Sequence, residues 1–147
     1  MKVIFVGTTG VHHTLIAANL LLGWDKHGGY TRLEGFGDSK LEQSGYPLLV
    51  HDDGRGNQVY SLGAGKNLQL ALRAMTQFID VCGFQPADLW IEPVIIKGDK
   101  LFTWLVRIPR LKTLSNMIIY KLIKWQFKDI KQSVQKVEER LKTVPLL

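Results

Sequence analysis

The chain has 147 residues, 46% of them hydrophobic and 10% aromatic, which is enough apolar matter for one domain with a proper core and too much for general disorder. Its lone cysteine, Cys82, excludes an internal disulfide and a cysteine-based zinc cluster, and it suits a reducing compartment, the cytoplasm. The net charge of +6 is uneven: residues 1–96 hold 7 Lys/Arg against 9 Asp/Glu, whereas residues 97–147 hold 12 against 4, so the basic part is the C-terminal third.

The short apolar run from Lys2 to Val6 predicts a strand buried on both faces, as in a parallel sheet. Gly7 to His13 interrupts that run too early for a secretory signal, and no stretch reaches the roughly 20 apolar residues that span a bilayer. A helix from about His13 to Leu22 follows, with Gly23 as its left-handed terminator. Asp25 to Tyr46 carries Gly28, Gly29, Gly35, Gly37 and Gly45 and predicts a long connection with one short helix near Asp38 to Gln43, capped by Asp38. Leu48–His51 and Gln58–Leu62 flank a turn-forming cluster, Asp52 to Asn57, and predict an antiparallel hairpin.

Gly63 to Asn67 leads into a helix whose apolar positions are Leu68, Leu72, Met75, Ile79 and Cys82, closed by Gly83. Asp88 to Ile96 predicts a further strand, placed at an edge or bulge by Pro93. Leu101 to Ile108 fits either a helix capped by Asp99 or a hairpin arm. From Thr113 to Lys142 a long helix is predicted, with an apolar seam at Ile119, Ile123, Phe127, Ile130, Val134, Val137 and Leu141. Lys121, Lys124, Lys128 and Lys131 make a basic stripe beside it, and Ile118, Leu122 and Trp125 fall roughly opposite the seam.

The fold expected from this order is a three-layer α/β domain, Rossmann-like or P-loop-like, with a short, largely parallel sheet, an inserted β-hairpin and a long C-terminal helix. Residues 1–110 form the α/β part, and 111–147 form a basic amphipathic helix belonging to the same domain.

The chemistry concentrates in the first strand–helix turn. A helix that starts after a strand offers unpaired N–H groups and the positive end of its dipole to an anion. Gly7 to Thr14 overlays the spacing of a phosphate loop, GxxxxGK[ST], but His12 and His13 stand where the second Gly and the Lys belong, so a working ATPase loop is not expected. What survives is a looser anion cradle of backbone N–H groups from Gly10 to His13, with hydroxyls from Thr8, Thr9 or Thr14. The plainer reading has Thr9 or His12 simply capping the helix. Of the two histidines, His12 is the candidate catalytic residue, expected to enter the pocket while His13 faces solvent. Lys66, on the second glycine-bearing turn, supplies the missing positive charge if both preceding strands point the same way. His12, His13, His51, Asp52 and Asp53 have no metal-ligand spacing, so no metal site is expected.

Gly10-Val11-His12-His13-Thr14 with the Ala17-Ala18 helix, Gly56-Asn57-Gln58-Val59-Tyr60-Ser61-Leu62-Gly63 and Ala71-Leu72-Arg73 resemble a bacterial family, domain of unknown function three-one-eight-nine. The resemblance covers about the first 85 residues, puts His12 in the place of the family's turn histidine, and departs from the pattern at Val11 and His13; the lysine-rich C-terminal helix reads as this chain's own. It implies a fold and a site, with no activity attached.

The sequence thus leads to a small cytoplasmic protein that binds a phosphorylated or other anionic small ligand at Thr8, Thr9, Gly10, His12, His13, Thr14 and Lys66. It names no cofactor and no reaction. The alternative is an interaction module whose C-terminal helix docks a protein, an anionic membrane surface or RNA, or pairs two copies as a homo-oligomer.

Overall fold

A computed structural model describes residues 1–24, 29–85, 87–98 and 112–143, the side chains of 112–116 excepted. The elements, in order, are β1 (Lys2–Gly7), α1 (His13–Leu21), a 3-10 turn (Tyr30–Arg32), α2 (Ser39–Ser44), β2 (Leu48–Asp52), β3 (Gln58–Gly63), a second 3-10 turn (Gly65–Asn67), α3 (Leu68–Cys82), β4 (Leu89–Pro93) and α4 (Lys112–Thr143). The expected helix or hairpin arm at 101–108 lies outside the described residues.

The sheet is mixed, with spatial order β2-β3-β1-β4. β1 is the interior strand, parallel to β3 on one side (Val3 opposite Val59, Phe5 opposite Ser61) and to β4 on the other (Phe5 opposite Glu92). Helices pack on both of its faces, α1 on one and α3 on the other, which is why Val3 to Val6 is an unbroken apolar run. β2 returns antiparallel to β3 with a bulge between Leu49 and His51. Its turn is held by carboxylates: Asp53 accepts from the N–H groups of Arg55 and Asn57, and Asp52 accepts from Gly54. Among the described residues β4 lies at the edge of the sheet, and the strand ends at Pro93, which has no N–H to donate.

Alternation along β1 sorts the layers. Val3 and Phe5 join a core with Leu15, Ile16, Ala17 and Ala18 of α1 and with Ile119, Ile123, Ile130, Val134 and Val137 of α4. α1, apolar nearly all round, is sandwiched between sheet and α4, which explains why six of its nine residues are buried. α4 buries Ile119, Ile123, Ile130, Val134 and Val137 of the seam read from its sequence, leaves Phe127 and Leu141 half-buried, and turns Trp125 outward. On the other face, α3 lies over Ile4 and Tyr60, leaving an apolar groove of about 640 Å³ that Phe78 and Phe84 also line. Only Leu68 of α3 is buried; the remaining apolar positions of its stripe are half-buried or exposed. Among the described residues, no helix is long and apolar enough to cross a membrane.

Candidate functional site

The first strand–helix turn sits where the sheet's order reverses, at the C-terminal ends of the parallel strands, the position where open α/β sheets bind ligands. β1 and β3 do point the same way, and the exit of β3 is bonded to the turn: Ala64 N–H donates to Gly7 O at 2.8 Å and Gly65 N–H to Thr8 O at 3.1 Å. The two backbones approach so closely that a Cβ on Gly10 would lie 2.7 Å from the Gly63 nitrogen, and one on Gly63 would lie 2.5 Å from the Gly10 nitrogen. Glycine at both positions is therefore a packing requirement. Ser61, fully buried on β3, staples the pair: its hydroxyl donates to Gly10 O at 2.6 Å and lies 2.8 Å from Thr14 Oγ1. Thr14 in turn donates to Thr9 O at 2.6 Å.

The N–H groups of the turn are engaged by a carboxylate from the chain itself. Glu42 Oε2 accepts from Gly10 N–H at 2.8 Å and from Val11 N–H at 3.1 Å. Local chemistry aims it there. Asp38 caps α2 by accepting from Lys40 and Leu41, Gly45 ends it in a left-handed turn, and Gly37 N–H donates to Val11 O at 3.0 Å, fixing the short helix beside the turn. Burial pushes the Glu42 carboxyl above the usual range, and the two backbone bonds pull it back. Next to it, a cavity of about 300 Å³ opens between α1, the segment 34–42 that covers the turn, and β2, lined among others by Leu15, Asn19, Glu34 and Leu41.

The sequence placed one histidine in a pocket and the other in solvent. Both are interior: His12 is 2% exposed and His13 fully buried. His12 meets the edge of Phe36 at 5.2 Å between ring centroids, because the covering segment lies across the turn. His13 reaches beneath the sheet's end, with Nδ1 3.2 Å from Thr9 Oγ1 and a backbone hydrogen bond at Val94. Desolvation lowers His12 to about 4; desolvation and the neighbouring His12 lower His13 to about 3, with the Val94 bond acting the other way. Both rings are neutral at pH 7. Neither His12 nor Thr9 caps α1: the His12 position makes no side-chain cap bond, and the Thr9 hydroxyl turns to His13.

Thr8, Thr9, Gly10, His12, His13 and Thr14 are thus brought together and buried, and Lys66 is exposed on the loop bonded to them. Ser61 and Glu42 are partners of this turn that sequence reading missed. Glu42 is 32 residues from its partner, and no local spacing links an acid on one short helix to the amides of another turn. His51, Asp52 and Asp53 are exposed on the β2–β3 hairpin, and among the described residues no three His, Cys, Asp or Glu side chains are grouped to hold a metal.

Fold and site together define a small α/β protein with a mixed four-stranded sheet, whose first strand–helix turn is closed by an internal carboxylate. The chain belongs to the family described as Protein of unknown function (DUF3189), which it matches over residues 2–139. That span takes in most of α4, so the lysine-rich helix lies within the family match, not outside it as the resemblance over the first 85 residues implied. No curated protein and no solved structure matches the chain.

Proposed function

We propose that the protein binds a phosphorylated or other anionic small ligand at the first strand–helix turn, in the cytoplasm, and that Glu42 holds the ligand's place until it arrives. The observation that carries this reading is the Glu42 carboxylate on the Gly10 and Val11 N–H groups: the cradle is satisfied by an anionic oxygen. An incoming phosphate or carboxylate takes the same two donors as the segment bearing Phe36 and Glu42 withdraws. Withdrawal uncovers His12 and the Gly10 and Val11 amides and leaves Lys66 beside the opening. His12, held neutral by burial, then serves as a hydrogen-bond partner of the anion and regains basicity as water enters.

The test is a thermal-shift screen of inorganic phosphate, nucleotides and sugar phosphates against wild type, Glu42→Ala and His12→Ala. Ligand binding to the native state raises stability with concentration. Removing the internal competitor makes Glu42→Ala respond at lower ligand concentration than wild type, and His12→Ala responds more weakly. Absence of any shift in Glu42→Ala, or identical responses in all three proteins, would overturn the reading.

A further inference from the structure

The outward side of α4 is more than a solvated lysine face. With Ile119, Ile123 and Ile130 in the core, the helical repeat turns Lys121, Lys124 and Lys128 to the opposite side, and all three are exposed. Among them stand large apolar side chains that remain exposed: Trp125 is 76% exposed, Met117 56% and Ile118 37%. The sequence extends the same character upstream, since from Lys100 to Lys128 there are seven Lys/Arg and no acid. Acids enter the helix only afterwards, with Asp129 on the flank, half-buried, and Glu138 and Glu139 toward the far end. One end of α4 therefore presents positive charge and exposed apolar groups on a single face.

We propose that this face docks on an anionic membrane surface. Charge complementarity selects an anionic partner, and the apolar groups select which kind. Exposed Met and Ile gain by leaving water for the acyl boundary, tryptophan prefers the headgroup layer, and lysines at the edge of such a patch reach the lipid phosphates. A nucleic acid would use the lysines and the tryptophan ring but offers nothing to Met117 and Ile118. Docking is peripheral, with the buried seam of α4 staying in the core. It makes no demand on the first strand–helix turn and stands apart from ligand binding there.

Flotation of the full chain with vesicles tests it. Vesicles of phosphatidylcholine with about one-third phosphatidylglycerol bind at least tenfold more protein than pure phosphatidylcholine, and 0.5 M salt releases it, as expected for surface charges beyond the screening length. Lys121→Glu, Lys124→Glu and Lys128→Glu combined reduce binding at least tenfold, and Trp125→Ser reduces it severalfold. All four side chains are exposed, so the variants keep the wild-type circular dichroism and melting temperature. Equal binding to both vesicle types, undiminished binding by the triple variant, or retention of single-stranded RNA with no vesicle binding would each overturn the proposal.

Discussion

Acid should unfold this protein through its two buried histidines. In the unfolded chain each takes up a proton near pH 6.5, whereas in the fold His12 does so only near 4 and His13 near 3. A histidine whose folded pKa is depressed contributes stability that is complete above its unfolded pKa and is lost as pH falls below it. Between pH 7 and 5 the unfolded form of each ring gains about one proton that the folded form refuses, costing about 2 kcal/mol per ring and about 4 kcal/mol for the pair. That is a large part of the roughly 5–15 kcal/mol that holds a domain together. Glu42 and Glu92 act in the opposite sense: burial raises their carboxyl pKa values, so their protonation favours the fold as pH falls, and they reduce the net loss. Urea unfolding at pH 7, 6 and 5 gives the net slope, and His12→Gln isolates the ring's share by lowering that slope near pH 5 by about 1.3 kcal/mol per pH unit, one proton's worth. A His12→Gln slope equal to wild type, or imidazole resonances of His12 and His13 that titrate above pH 6 in the folded protein, would refute the reasoning.

Ser61→Ala removes the hydroxyl that joins Gly10 O to Thr14 Oγ1 in a fully buried site, and chemical denaturation should show a loss of about 1–3 kcal/mol. Gly10→Ala drives a methyl against the Gly63 backbone, and the strain, about 1–3 kcal/mol, appears as a lower melting temperature, while Gly54→Ala, in open space on the hairpin, disturbs only its own turn and leaves the first strand–helix turn intact. Glu92→Gln keeps an acceptor for the Trp90 indole N–H at 3.3 Å while removing a buried charge whose partner, Lys136, is 4.0 Å away and largely exposed. Because the folded carboxyl is raised, the variant is more stable than wild type at pH 8, and the gap closes as pH falls through the Glu92 titration. A gap that widens toward acid would show that the Lys136 attraction outweighs burial.

How much of this was legible in the sequence follows from the range over which each residue finds its partner. The elements were readable because their causes are local: Gly23 and Gly83 end helices in left-handed turns, Asp38 caps α2 from within two or three residues, and the hairpin is tied by carboxylates to amides close in the chain. The seam of α4 was readable because a helix repeats its core contacts every three or four residues. Periodicity reports which side chains can share a face and says nothing of what meets that face. The stripe of α3 has the same spacing as that of α4, yet its Leu72, Met75 and Ile79 are only half-buried and its Cys82 is exposed, whereas Ile123 is fully buried because α1 and the sheet close over α4. The site failed by the same logic. That the first turn offers N–H groups is a local fact, whereas their satisfaction by Glu42, 31 and 32 residues away, and the cover that Phe36 gives His12 depend on a segment that folds back from far along the chain. A sequence thus reveals a donor set more readily than its acceptor, and an empty-looking anion cradle can already hold an anion supplied by the chain. In the proposed function an anionic ligand has to outcompete Glu42, so affinity at this turn would depend on how easily residues 36–42 let go.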